Sequence, residues 1–185
     1  MHGPASSGWL LVALCAATGA YCLLRMRSTV EEQRSAAGDE ALMAFGMALM
    51  AVPAAVFSPP TWVWPAYAAV FGAAAVRALW VARTGAHHLH HLVGATAMVY
   101  MALVMDGSAG HGHGHGTGGS GVPLLTGALL LYFAGYVLLT GVRLVPVTAV
   151  ARSGGGAAGW ADRPEVARAC RLSMGIAMLA MLLTV

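Results

Sequence analysis

The chain has 185 residues, of which 58% are hydrophobic and only 9% charged, whereas a soluble domain carries about 25% charged residues. With a mean hydropathy of +0.71, this composition excludes an ordinary water-soluble fold, and the 24 glycines follow no collagen-like period. Every basic residue is Arg, and no basic stripe with interleaved aromatics accompanies the formal charge of +3, so nucleic acid is excluded as a partner.

A bilayer core needs roughly 20 mostly apolar residues per helical crossing. The chain offers six such segments, at about 8–25, 40–57, 65–83, 88–105, 122–142 and 166–185. The expected fold is therefore all-α: a single domain, 1–185, of six transmembrane helices. With the N-terminus outside, the inner loops are 26–39, 84–87 and 143–165, and all ten Arg lie in or near them, which is the positive-inside pattern. Both termini are then outside. Trp9, Trp62 and Trp64 mark the outer headgroup level, and Trp80 and Trp160 the inner one.

The first segment is not read as a cleaved signal peptide, because its positive charges follow the apolar run instead of preceding it. Cys15 follows Val12, Ala13 and Leu14, a poor lipobox, and Cys15 and Cys22 read as buried thiols packing as small hydrophobes. In the second segment, Asp39 follows Gly38 and precedes the apolar run, the position of a helix cap. Arg77 of the third segment either snorkels or pairs with Glu40 at the start of the second.

Apart from Met1 and Met26, the methionines fall into three triads: Met43, Met47, Met50; Met98, Met101, Met105; Met174, Met178, Met181. The spacings i, i+4, i+7 and i, i+3, i+7 put each triad on one helix face. Continued inward, these faces reach Asp39, His91 with His87, and Cys170. The three hairpins resemble a weak internal repeat in which only the even helices carry a stripe. Thioether and thiolate sulfur select Cu(I), with imidazole able to assist. A ring of Met also needs no ionised group in the bilayer, where one costs at least about 2.5–3.5 kcal/mol. The other reading is that Met fills gaps in helix packing.

The run His87, His88, Leu89, His90, His91 puts His87 and His91 on one face, where two imidazoles chelate one metal; the same residues also serve as helix caps or interfacial anchors. No other apolar segment contains a His, so bis-His haem within one chain is not expected. In the outer loop 106–121, His111, His113 and His115 alternate with Gly, giving either a metal-capturing loop or a glycine-rich linker. No nucleophile set, paired intramembrane carboxylates, H-E-x-x-H or phosphate-binding loop is visible, and no enzyme is expected.

Three motifs in order carry a family resemblance. They are Asp39, Glu40, Ala41, Leu42, Met43 with Gly46, Met47 and Met50; the His-His-x-His-His run leading to Gly94, Ala97, Met98, Tyr100 and Met101; and Cys170, Arg171, Met174, Gly175, Met178 and Met181. Together they resemble a family of actinobacterial integral membrane proteins catalogued only as a domain of unknown function (DUF5134 type), over nearly the whole chain. The resemblance implies a bacterial plasma-membrane location and no particular activity, and the His-Gly loop lies outside it.

The expectation is a multi-pass membrane protein that binds a soft metal, most simply a copper ion, in copper uptake, transfer or homeostasis. Its outer His loop would collect the ion, the Met triads hold or pass it, and Cys170 with His87 and His91 receive it. The alternative is a non-catalytic accessory subunit of a larger membrane complex. Beyond the lipid bilayer, the partners expected are further copies of the chain or that complex.

Overall fold

The computed structural model describes residues 4–27, 31–53, 56–57, 59–82, 87–110, 122–144 and 164–184. These form six helices: α1 (Pro4–Arg25), α2 (Glu31–Met50), α3 (Val63–Ala82), α4 (His87–Gly110), α5 (Pro123–Leu144) and α6 (Pro164–Leu182). No strand occurs among the described residues. Proline sets several of the ends. Pro4, Pro123 and Pro164 open their helices, where the missing N–H costs nothing and φ is already helical. Pro53 stops α2 after Met50, because its ring collides with the carbonyl four residues earlier and it has no hydrogen to donate.

Four helices are long and apolar enough to cross a membrane, through the stretches Ser6–Arg25, Val63–Trp80, Leu89–Gly107 and Pro123–Arg143. The other two have the length. At about 1.5 Å per residue, the 20 residues of α2 and the 19 of α6 approach the roughly 30 Å of a hydrocarbon core. They fall short in apolarity, since α2 begins Glu31, Glu32, Gln33, Arg34 and α6 carries Glu165, Arg168 and Arg171. The second helix also starts nine residues before the apolar run, inside what the sequence marks as loop 26–39. Asp39 is therefore a mid-helix residue and not an N-cap. A polar first half conceals a helix from a scan for apolarity.

The chain divides into two compact units. The first comprises α1, α2, α6 and residues 130–144 of α5. Within it α1 and α2 form a hairpin with a consistent register: an added Cβ on Gly8 would lie 3.3 Å from the Ala51 carbonyl oxygen, one on Gly19 3.0 Å from the Phe45 ring, and one on Gly38 3.6 Å from Met26. Buried Ala37, Ala41, Ala44 and Ala48 recur every three or four residues along α2, letting backbones approach as small residues do in membrane interfaces. At Gly175 of α6, a Cβ would meet Val137 of α5 at 3.0 Å.

The second unit is residues 57–129 with the last two residues of the chain. Here α3 packs on α4, burying Tyr67 and Phe71 from one helix and Ala95, Ala97, Met98, Met101 and Ala102 from the other. The Tyr67 and Phe71 rings stack with centroids 4.6 Å apart. Tyr100 pairs through its hydroxyl with Thr126 Oγ1 at 2.6 Å, tying α4 to the start of α5.

Both units turn large apolar side chains outward, including Leu10, Leu23, Leu24, Leu131, Leu138 and Leu139 in the first and Val70, Val76, Leu79 and Trp80 in the second. Exposed apolar side chains in this number are a liability in water and are ordinary against lipid tails.

Candidate functional site

The most unusual side chain of the first unit is Glu40, a carboxylate with no exposed surface in the middle of α2. Its Oε2 accepts a hydrogen bond from Arg25 Nη1 at 2.8 Å, and its Oε1 accepts one from Arg171 Nε at 2.7 Å. Both oxygens are thus held by Arg from helices α1 and α6, and the expected pairing with Arg77 gives way to these two. Arg25 is itself buried, while the Arg171 side chain is one-third exposed. Removing a carboxylate from water costs several kcal/mol, so two charge-assisted hydrogen bonds are what allow Glu40 to stay there as an ion. The cluster carries a net charge of about +1, two guanidiniums against one carboxylate.

Two cysteines adjoin it. The Cys22 thiol is fully buried and donates toward Glu40 Oε2 at 3.7 Å. Cys170, on α6, lies within electrostatic range of Glu40, Arg25 and Cys22. One turn further along both helices, the hydroxyls of Thr18 and Ser173 meet at 3.3 Å. Each also donates to its own helix, Thr18 to the Leu14 carbonyl at 2.9 Å and Ser173 to the Cys170 carbonyl at 2.8 Å. The polar layer therefore runs Arg25, Glu40, Cys22, Cys170, Thr18, Ser173 across three helices.

Beyond this layer the interior turns to sulfur and methyl groups. Met43, Met47 and Met50 of α2 and Met174, Met178 and Met181 of α6 are all buried in the first unit, whose α2 and α6 are in contact. The same two helices turn Leu42, Phe45, Leu49 and Ile176 outward. In the second unit Met98 and Met101 are buried, and Met105 is half-exposed. The Met faces of α2 and α6 thus point inward in the first unit, and that of α4 does so at Met98 and Met101 in the second.

The histidines are placed less completely. His91 is half-buried with Nδ1 inside the second unit, and its ring stands edge-on to His90 with centroids 6.1 Å apart. His87 is the first residue of α4, but its side chain lies outside the described residues, as do His111, His113 and His115. Among the described residues, no three of His, Cys, Asp and Glu converge as a metal-binding group.

Sequence reasoning missed the Arg25, Glu40, Arg171 cluster and the part of Cys22. The signal was present: Cys22 and Arg25 are one turn apart on α1, facing one way at helical spacing. What periodicity along one helix does not contain is the register between helices.

The family described as "Domain of unknown function (DUF5134)" matches residues 32–185, and the chain belongs to it. No curated protein matches the chain. No solved structure matches it either.

Proposed function

We propose that this DUF5134-family protein binds a soft transition metal, Cu(I), through the Met faces of α2, α4 and α6, and serves copper uptake, transfer or homeostasis in a bacterial plasma membrane. In this reading all six helices span the bilayer with both termini outside. The Arg-rich ends of α1 and α6 then lie on the inner side, in keeping with the positive-inside rule. His111, His113 and His115 sit outside to collect the ion, and His87, His91 and Cys170 sit inside to receive it.

The observation that carries the reading is the separation of Met from Leu on α2. Lipid tails are as apolar as Leu, so hydrophobicity does not drive one apolar side chain inward in preference to another within a bilayer. Yet α2 hides Met43, Met47 and Met50 and displays Leu42 and Leu49, whereas α6 hides Met174, Met178 and Met181 together with Leu182. Thioether sulfur is a neutral donor selective for Cu(I), and gathering it in the interior gives such an ion ligands that need no ionised side chain at membrane depth.

The test is Cu(I) binding by purified protein in detergent, comparing wild type with a variant carrying Met47→Ala, Met101→Ala and Met178→Ala together. Loss of the bound ion in a folded variant supports the reading. Unchanged binding sinks it, and copurification of a stoichiometric partner without metal would favour an accessory subunit whose Met faces are packing surfaces.

A further inference from the structure

We propose that Cys22 and Cys170 form a two-coordinate thiolate site for one monovalent soft cation, Cu(I) or Ag(I), with the Arg25, Glu40, Arg171 cluster balancing its charge. The inference rests on the soft-metal reading for the class of ion, but it uses different residues from the Met faces and is tested apart from them.

The register between α1 and α6 places the two thiols. The Thr18 and Ser173 hydroxyls touch at 3.3 Å. Because the helices run in opposite directions there, stepping four residues on from Thr18 along α1 and three back from Ser173 along α6 moves the same way along the pair, by one turn each. Those steps arrive at Cys22 and Cys170. The two thiols also lie within electrostatic range of each other and of the Glu40 carboxylate. Both face a layer already made polar by Glu40, Thr18 and Ser173, whereas Cys15 is buried two turns away on α1, outside that layer.

Charge then selects the ion. With both thiols protonated the cluster is about +1, a value that a low-dielectric interior disfavours. Loading a monovalent ion replaces two S–H bonds with two metal–sulfur bonds and releases two protons. The bis-thiolate complex carries one negative charge, and the cluster becomes neutral. A divalent ion such as Zn(II) would leave the charge at +1 and would call for four ligands, and among the described residues no such set of His, Cys, Asp and Glu is present. Thiolate is in addition the softest ligand a protein offers, which favours a d10 monovalent ion.

The experiment is a titration of reduced protein in detergent with Cu(I), and separately with Ag(I), following the ultraviolet thiolate-to-metal absorption, bound metal and released protons. Wild type is expected to take up the band with about one ion and to release about two protons per ion. Cys22→Ser and Cys170→Ser should each abolish the band, and Cys15→Ser should keep it. A band that survives in both single variants overturns the proposal, and so does uptake by wild type without proton release, a readout that needs no variant to fold. The Met47, Met101 and Met178 triple variant separates the two readings. A wild-type band and stoichiometry in that variant would remove the Met reading and leave the dithiolate site standing, whereas loss of metal from the triple variant with a band indifferent to Cys22 and Cys170 would do the reverse.

Discussion

Glu40 accepts a hydrogen bond from Arg25 at 2.8 Å across the α1–α2 hairpin, with neither side chain more than 8% exposed. Breaking a buried ion pair by removing one partner costs about 3–5 kcal/mol, because the other charge stays behind uncompensated. Glu40→Ala strands two guanidiniums and should sit at the top of that range. Arg171→Gln removes a one-third-exposed partner and leaves the Arg25 pair intact, so about 1–2 kcal/mol is expected. Thermal unfolding of both variants in one detergent checks the order; equal losses would mean that Glu40 is not the centre of the cluster.

Two glycine substitutions should move stability in opposite directions. Gly175→Ala introduces a Cβ 3.0 Å from Val137 and 3.4 Å from Tyr136. Overpacking of that kind costs about 1–3 kcal/mol, more than the ~1 kcal/mol of helix propensity that Ala brings. Gly72→Ala meets nothing within 4 Å, so only the propensity term remains and the variant should be stabilised by up to about 1 kcal/mol. Denaturation of the pair alongside wild type reads both signs.

What the sequence made legible is what travels along one helix. The apolar runs located α1, α3, α4 and α5, and the Met spacing identified three buried faces, since both depend only on a period of about 3.6 residues. The start of α2 was hidden because Glu31, Glu32 and Arg34 look like loop to a hydropathy scan, although nothing in them breaks a helix. The Arg25 and Arg171 partners of Glu40 and the contact of buried Cys22 with Glu40 are not legible in the sequence, for one reason. The paired groups lie on different helices, and the register of one helix against another is set by contacts such as Gly19 with Phe45, which no pattern within a single segment records.

Tyr100→Phe isolates the polar tie of the second unit. The hydroxyl pairs with Thr126 Oγ1 at 2.6 Å and also reaches the Val122 carbonyl at 3.4 Å. Hydrogen bonds between membrane helices average about 0.6 kcal/mol, so a loss near that value is expected, with the ring still packed. Thr126 Oγ1 reaches the same Val122 carbonyl at 3.3 Å, so Thr126→Val should cost a similar amount, and the double variant should cost more than either alone but less than their sum. A double-mutant cycle in detergent measures this directly.

Oxidation reports which way the thioethers face. Met26 is 37% exposed, whereas Met47 and Met98 show no exposed surface and Met101 and Met178 almost none. Susceptibility to sulfoxide formation follows access, so brief peroxide treatment of native protein, read by peptide mass spectrometry, should modify Met26 well before any of these four. Denatured protein should lose that order. If Met47 and Met178 oxidise as fast as Met26 in the native state, their faces are open to the medium, and the argument from the inward separation of Met and Leu fails with them. Protection in the apo protein is expected from burial alone. Slower oxidation of the buried set on adding Cu(I), with Met26 unaffected, is the further outcome that packing by itself does not predict, because only a bound ion engages the sulfur lone pairs that peroxide attacks.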